Sequence, residues 1–402
     1  MKGTINAHRL LAGTSSHGGY LGSLGVSRED EQALRAAREL VRQTLREKLP
    51  LQQKMLKQHG FVDEAFRGRD LPLKPKFRMQ GSAVYFTLND PAHKPPQQID
   101  YDDGVFLPTS FLNDGASPAL AARGYFKAVE DALAGICADR AWTLSPQNSC
   151  VRILGIIPGG HLDFPLYAIP DEQYVELTEA AKRDSRVALM DTLEFADGVY
   201  DHIPDDHIML ATRDRDWEKS DPRKIEEWFK RSIQDYGDGL RHVCRYLKGW
   251  RDFNWMGTKD NKGPSSLALM ACVVRVYDDL AGEPPKNRDD LALLLVAERL
   301  PALFAEEIPN PNPEIQSNLC DGWDADLRRA YVQAAQIFAN GLHAALQETS
   351  HSGVAIERLR RCFGDRIPDR VDLINIETVE EEVLAYTASV VSEREVKRTI
   401  SG

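Results

Sequence analysis

The stretch from Met79 to Pro108, MQGSAVYFTLNDPAHKPPQQIDYDDGVFLP, limits what this chain can fold into more than any other. A short alternating run, Phe77-Arg78-Met79, leads into Gly81-Ser82, and the stretch ends with Asp100-Tyr101-Asp102 inside the strand-like segment Ile99 to Leu107. Side chains two apart on a strand share a face. Asp100 and Asp102 therefore stand side by side, with Ile99 and Tyr101 turned the other way. Like charges at that spacing repel, and burying them unpaired costs several kcal/mol. A pair of Mg²⁺ ions resolves the conflict, because hard cations take carboxylate oxygens. Gly81 and Ser82 add close backbone approach and a hydroxyl, which suits a triphosphate carried on the metal. Alone, an Asp-x-Asp is commonly a solvated strand edge and a Gly-Ser a plain turn. Strand, Gly-Ser and strand Asp-x-Asp in succession form the layout of a two-metal nucleotidyl-transfer site.

Such a site needs a third carboxylate. Cys150 to Ile157 (CVRILGII) reads as a strand from its β-branched residues, Pro158-Gly159-Gly160 as a turn, and His161 to Ile169 (HLDFPLYAI) as the returning strand. Asp163 is the acid of that strand, set between Leu162 and Phe164. A lone acid among apolar neighbours wants a partner, and a metal shared with Asp100 and Asp102 would be one.

These segments, with DRDWEKSDPRKIEEWF (214–229), RHVCRYLKGWRDFNW (241–255) and GPSSLALMA (263–271) following in order, resemble the cGAS/DncV-like nucleotidyltransferases of bacterial anti-phage signalling over essentially the whole chain. The resemblance implies an α/β fold: a polymerase-β-like core of mixed sheet and helices, a C-terminal helical domain, and an active site in the cleft between. It implies ATP and GTP as substrates, two Mg²⁺ ions (Mn²⁺ substituting), and 3′,3′-cyclic GMP-AMP or a related cyclic purine dinucleotide as a second messenger for a downstream effector. Asp100 and Asp102 would hold both ions, and Asp163 the catalytic one. Gln80, Gly81 and Ser82 would meet nucleotide, Tyr85 would stack on a base, and Ser220 would line the base-binding region. Lys248 and the pair Ser265-Ser266 would meet the donor triphosphate. From spacing alone Lys248 reads equally as a snorkelling surface lysine, Ser265-Ser266 as helix caps, and Tyr85 as a core aromatic. Helix arginines of the family line an inhibitory folate pocket; Arg35 stands at one such position, Glu39 and Gln43 at the next two. The loop between Ser82 and Asp100, with the proline-containing Asn89 to Gln98, is longer than in most polymerase-β-like enzymes.

The formal net charge of −11 argues against holding long nucleic acid without a basic stripe, which is not evident in the sequence. No long apolar run suggests a membrane span, and no basic segment followed by an apolar one suggests secretion. Six cysteines without paired spacing read as reduced thiols of a cytoplasmic protein, not as a zinc ribbon. Residues 1–26 read as an irregular arm. Ser27 caps an amphipathic helix to about Leu56, with Leu34, Leu40, Val41 and Leu45 near one face and Arg35, Arg38, Arg42 and Arg46 on a solvated one. Ser117-Pro118 starts a helix to about Ala138, and 173–209 has no clear assignment. From Asp221-Pro222 the pattern turns helical: 222–235, 238–254, 264–280, 289–303, 324–348 and 375–391. This sets a boundary near 215, giving an N-terminal arm, long helix and transferase core (1–215), a helical domain (216–391) and a flexible tail (392–402). In the resembling family, ubiquitin-transfer-like enzymes join a synthase's C-terminal carboxylate to a target amine, which makes Gly402 a candidate conjugation point. Two alternatives stand beside the synthase reading: a transferase of the same superfamily acting on RNA ends or a small molecule, and a non-catalytic nucleotide-sensing module.

Overall fold

The structure, a computed structural model, describes residues 4–58, 75–108, 118–169, 208–214, 216–258, 262–280 and 285–377. It begins with β1 (Thr4–Asn6), α1 (His8–Ala12), α2 (Gly19–Ser23) and the long α3 (Arg28–Gln58). Ser27 Oγ accepts a hydrogen bond from the Asp30 N–H at 3.0 Å, which caps α3. Leu34, Ala37, Val41, Leu45 and Leu49 recur at helical spacing and are all buried.

The core follows with β2 (Lys76–Gln80), the one-turn α4 (Gly81–Val84), β3 (Ile99–Pro108), α5 (Pro118–Asp139), β4 (Thr143–Pro146), β5 (Cys150–Ile157), β6 (Gly160–Ile169), β7 (Met209–Thr212) and β8 (Asp216–Lys219). The strands form a seven-stranded sheet in the order β2-β3-β6-β5-β4, with β7 pairing with β6 and β8. The β3–β6 pair is parallel, and its register sets Asp100 beside His161 and Asp102 beside Asp163. The apolar faces of α3 and α5 pack with Ile99, Tyr101 and Leu162 of the sheet in one core.

The helical half runs through α6 (Pro222–Tyr236), α7 (Asp238–Asn254), α8 (Ser266–Asp279), α9 (Asp289–Ala305), α10 (Ala325–Gln347) and α11 (Ser352–Phe363), and ends in β9 (Asn375–Glu377). Asp221 caps α6 by accepting from the Arg223 N–H at 2.9 Å with Pro222 at its first position. No described helix is long and apolar enough to cross a membrane. All six cysteines are buried free thiols.

Three expectations are corrected. Residues 4–24 are not an irregular arm: Ile5, Leu10, Leu11, Tyr20 and Leu24 are buried in the core of the helical half, and β1 pairs antiparallel with β9. Elements this short show little periodicity, and their partners lie hundreds of residues away. For the same reason Asn375–Glu377 is a strand where a helix start was expected; the rest of 375–391 and the tail with Gly402 lie outside the described residues. Finally, Arg38 and Arg42 of α3 do not face solvent. Both are buried, and Arg42 Nε and Nη2 donate to the two oxygens of the fully buried Asp103 at 2.6 and 2.5 Å.

Burial pushes the Asp103 carboxyl up and Arg42 opposes that shift. Arg42→Ala removes the counter-charge, and we expect it to cost about 3–5 kcal/mol in chemical denaturation at neutral pH. The deficit should shrink as the pH falls, because a protonated Asp103 needs no partner. A deficit that is small or independent of pH would show that the pair does not hold α3 to β3.

Candidate active site

The one-turn helix α4 starts directly at the end of β2 because Gly81 adopts φ +66°. A side chain there would also collide with Asp102 Oδ2, so only glycine lets the α4 backbone close over the carboxylate. Above this turn opens a cleft of about 730 Å³ between the sheet and the helical half. Gln80, Gly81, Ser82, Tyr85, Asp100, Asp102, Lys248 and Ser266 line it, as do Arg152, His161 and Arg251.

The acidic end is built on the parallel pair β3–β6. The Asp100 side chain is 53% exposed at the cleft wall, and its Oδ1 lies 2.8 Å from His161 Nε2. Burial pushes this carboxyl up, but the hydrogen bond and charge of His161 outweigh that and hold it below the ordinary range. Asp102 goes the other way: burial first, then the charges of Asp100 and Asp163, push it well above the usual carboxylate range. Asp163 is buried and lies behind the cleft wall, held at both oxygens by Arg152 Nε and Nη2 at 2.7 and 2.6 Å. The partner this lone strand acid requires is therefore a guanidinium on the neighbouring strand. Ligand atoms of Asp100, His161 and Asp163 lie within 4.8 Å of one another. Two carboxylates and an imidazole this close, beside an Asp102 strained by its neighbours' charge, suit a divalent cation.

The opposite wall comes from α7 and α8. Lys248 is not a snorkelling surface residue: it is buried, its Nζ donates to the Thr87 carbonyl at 2.6 Å, and burial, then the nearby Arg251, push it down to about 8. Ser265 caps α8 by accepting from the Ala268 N–H at 3.1 Å. Ser266, not Ser265, lines the cleft, and its Oγ accepts from Arg251 Nη1 at 2.8 Å. Tyr85 packs edge-on against Phe229 at 5.8 Å with one side on the cleft. The Gln80 amide oxygen accepts from Tyr167 Oη at 3.0 Å. Ser220 is half-buried beside the α6 cap, and it is the adjacent Pro222 that reaches the cleft. Arg35 pairs with Glu31 on the exposed side of α3 at 2.6 Å.

Arg152, His161 and Arg251 were not singled out by sequence. Counting back from the turn pairs Ile157 with Gly160 and would set Arg152 against Pro165. A register shift between Leu154 and Ile157, at Gly155 with φ +89°, sets it against Asp163 instead. His161 carried a signal: it lies two residues before Asp163, on the same strand face.

Residues 75–167 match the family profile described as cyclic GMP-AMP synthase DncV-like, nucleotidyltransferase domain, and residues 237–376 match that of the cyclic GMP-AMP synthase C-terminal domain. The chain is 31% identical over 319 residues to a cyclic GMP-AMP synthase of Escherichia coli, covering 76% of this chain and 70% of the relative. It is 28% identical over 318 residues to that of Vibrio cholerae, covering 76% and 71%. The Vibrio cholerae DncV cyclic AMP-GMP synthase in complex with the linear intermediate 5′ pppA(3′,5′)pG superimposes with a TM-score of 0.76 at 25% identity, over 94% of this chain and 100% of that one. DncV in complex with GTP and 5MTHFGLU2 gives 0.77 at 25% identity, over 93% and 100%. Matched in both halves and across the cleft that joins them, the chain belongs to the DncV-like cyclic GMP-AMP synthase family of nucleotidyltransferases.

Proposed function

We propose that this chain joins ATP and GTP in two successive nucleotidyl transfers to give 3′,3′-cyclic GMP-AMP. The observation that carries the reading is the convergence of Asp100 and Asp102 on one wall of a nucleotide-sized cleft, facing Lys248 and Ser266 on the other. The acceptor 3′-oxygen attacks the α-phosphorus of the donor, the new P–O bond forms as the bond to pyrophosphate breaks, and a second round on the linear product closes the ring. Asp100, Asp102 and Asp163 are the residues that would hold divalent cations, Mg²⁺ first and Mn²⁺ as a substitute. Bound there, the ions would lower the charge on the reacting phosphate and acidify the attacking hydroxyl.

The remaining steps rest on the chain's own groups. The Lys248 ammonium, already held by the Thr87 carbonyl, balances donor phosphate charge. Ser82 and Ser266, which line the cleft, offer hydroxyls to the triphosphate, and the start of a helix such as α8 suits phosphate. Tyr85, in the cleft lining, would stack on a base. Asp163 takes the hydroxyl proton only once Arg152 has moved off its oxygens. The role in anti-phage signalling, the downstream effector and a ubiquitin-transfer-like enzyme acting on Gly402 complete the proposal by resemblance to the family. The direct test is incubation of the purified chain with ATP, GTP and Mg²⁺ and identification of the product by mass. A product that is linear only, or a nucleotide added to RNA, would overturn the reading.

Asp100→Ala with Asp102→Ala should abolish product. Because the two like charges repel at the cleft wall, the ion-free melting temperature should hold or rise. Residual cyclisation, or a marked loss of ion-free stability, would contradict the assignment of these acids.

Lys248→Met keeps the volume and removes the charge. It should raise KM for nucleotide by about 10-fold or more while the fold holds, since a buried ammonium is itself costly. As the lysine titrates near 8, KM in the parent should climb as the pH rises through that value, and the variant should lose that dependence. Unchanged KM with lowered stability would make Lys248 a structural residue only.

A further inference from the structure

The two walls of the cleft are joined by a strap, Asn89 to Gln98. Asn89 exchanges hydrogen bonds with the Arg245 carbonyl and the Arg245 Nε, both at 2.9 Å. His93 meets the Phe253 carbonyl at 3.0 Å, and Gln97 Nε2 donates to the carbonyls of Asp252 and Trp255 at 2.8 and 2.6 Å. These side chains recur every four residues and fasten the strap to α7 over its last three turns.

The next residue, Gln98, turns the other way. Its amide lies 2.7 Å from His161 Nδ1, and His161 Nε2 lies 2.8 Å from Asp100 Oδ1. The imidazole is 4% exposed, so it has little freedom to find other partners. If the Gln98 oxygen accepts, Nδ1 carries a proton and the ring donates Nε2–H to the carboxylate as well. If the amide is reversed, its NH₂ donates to a bare Nδ1 and the neutral ring still keeps Nε2–H for Asp100. Both arrangements present the same donor to the same oxygen, whatever the charge on the ring.

We propose that His161 and Gln98 are positioning residues that fix the orientation of Asp100, with Gln98 itself set from the helical half through the strap. One Asp100 oxygen is thereby occupied and the other is left to face the cleft, so that the arrangement of the acidic wall depends on the seating of α7. This inference rests on the reading of Asp100 as an ion-holding carboxylate. Partners that hydrogen-bond to ligating carboxylates typically change ion affinity or activity by about 10–100-fold when removed.

The test compares His161→Ala, His161→Gln, His161→Asn and Gln98→Ala with the parent and with Asp100→Ala. Glutamine can place its amide N–H where Nε2 stood, whereas asparagine is too short and reaches only the Gln98 side. We expect His161→Ala and His161→Asn to lower kcat by about 10-fold or more with KM for ATP and GTP little changed, and to weaken Mn²⁺ binding measured by calorimetry without nucleotide. His161→Gln should restore most of both. Gln98 is exposed, so Gln98→Ala should fold as the parent does and show a smaller loss in the same two readouts. Glutamine and asparagine behaving alike, or Gln98→Ala and His161→Ala matching the parent in kcat and ion affinity, would overturn the positioning role. If Asp100→Ala itself stays active, the functional reading fails instead, and the two failures are distinct.

Discussion

The structure depends on a parallel pairing of two strands that carry acids. In β3 and β6 the register sets Asp100 beside His161 and Asp102 beside Asp163, so the sheet itself concentrates negative charge at one edge. Everything near that edge answers this concentration. Arg152 takes both oxygens of Asp163, His161 takes one oxygen of Asp100, and Arg42 neutralises Asp103 one residue further on, on the opposite face. Asp102 is the acid whose carboxyl is left pushed well up by burial and by its neighbours. Such a site suits a divalent cation, which would offset a repulsion that no side chain has fully cancelled.

The second constraint is the seating of the helical half on that edge. Lys248 reaches across to the Thr87 carbonyl, the strap from Asn89 to Gln97 is bound to α7, and Arg366 Nη1 donates to the Asp90 carbonyl at 2.6 Å. The cleft is therefore walled by two bodies tied at several points along one connecting loop. Through that loop the helical wall and the acidic wall are brought into a common geometry.

How much of this was legible in the sequence follows from the range of each interaction. Asp100 and Asp102 could be placed on one face because period-two alternation is local, whereas the turn of Gly81 against Asp102 appears only in the fold. The helices α6 to α10 were legible from the Asp221-Pro222 cap and the periodic runs that follow it. Arg152 was hidden because the irregularity at Gly155 displaces the hairpin register. Arg42 reads as solvated until β3 is laid against α3 and Asp103 meets it. Residues 4–24 were misread because β1 has no meaning without β9, which a sequence pattern cannot bring to it. Lys248 stood open between surface and site, and only tertiary packing shows how deeply it is buried.

The central claim is that this acidic edge is strained, with burial and the charges of Asp100 and Asp163 pushing the Asp102 carboxyl above its ordinary range. The most direct measurement is calorimetry of Mg²⁺ or Mn²⁺ binding in buffers of different ionisation enthalpy, just above the ordinary carboxylate range of pH. The account predicts that the ion displaces protons, giving a heat that varies with the buffer, and that Asp102→Asn abolishes this variation. Ion binding with no proton release, or with the same release in Asp102→Asn, would contradict it.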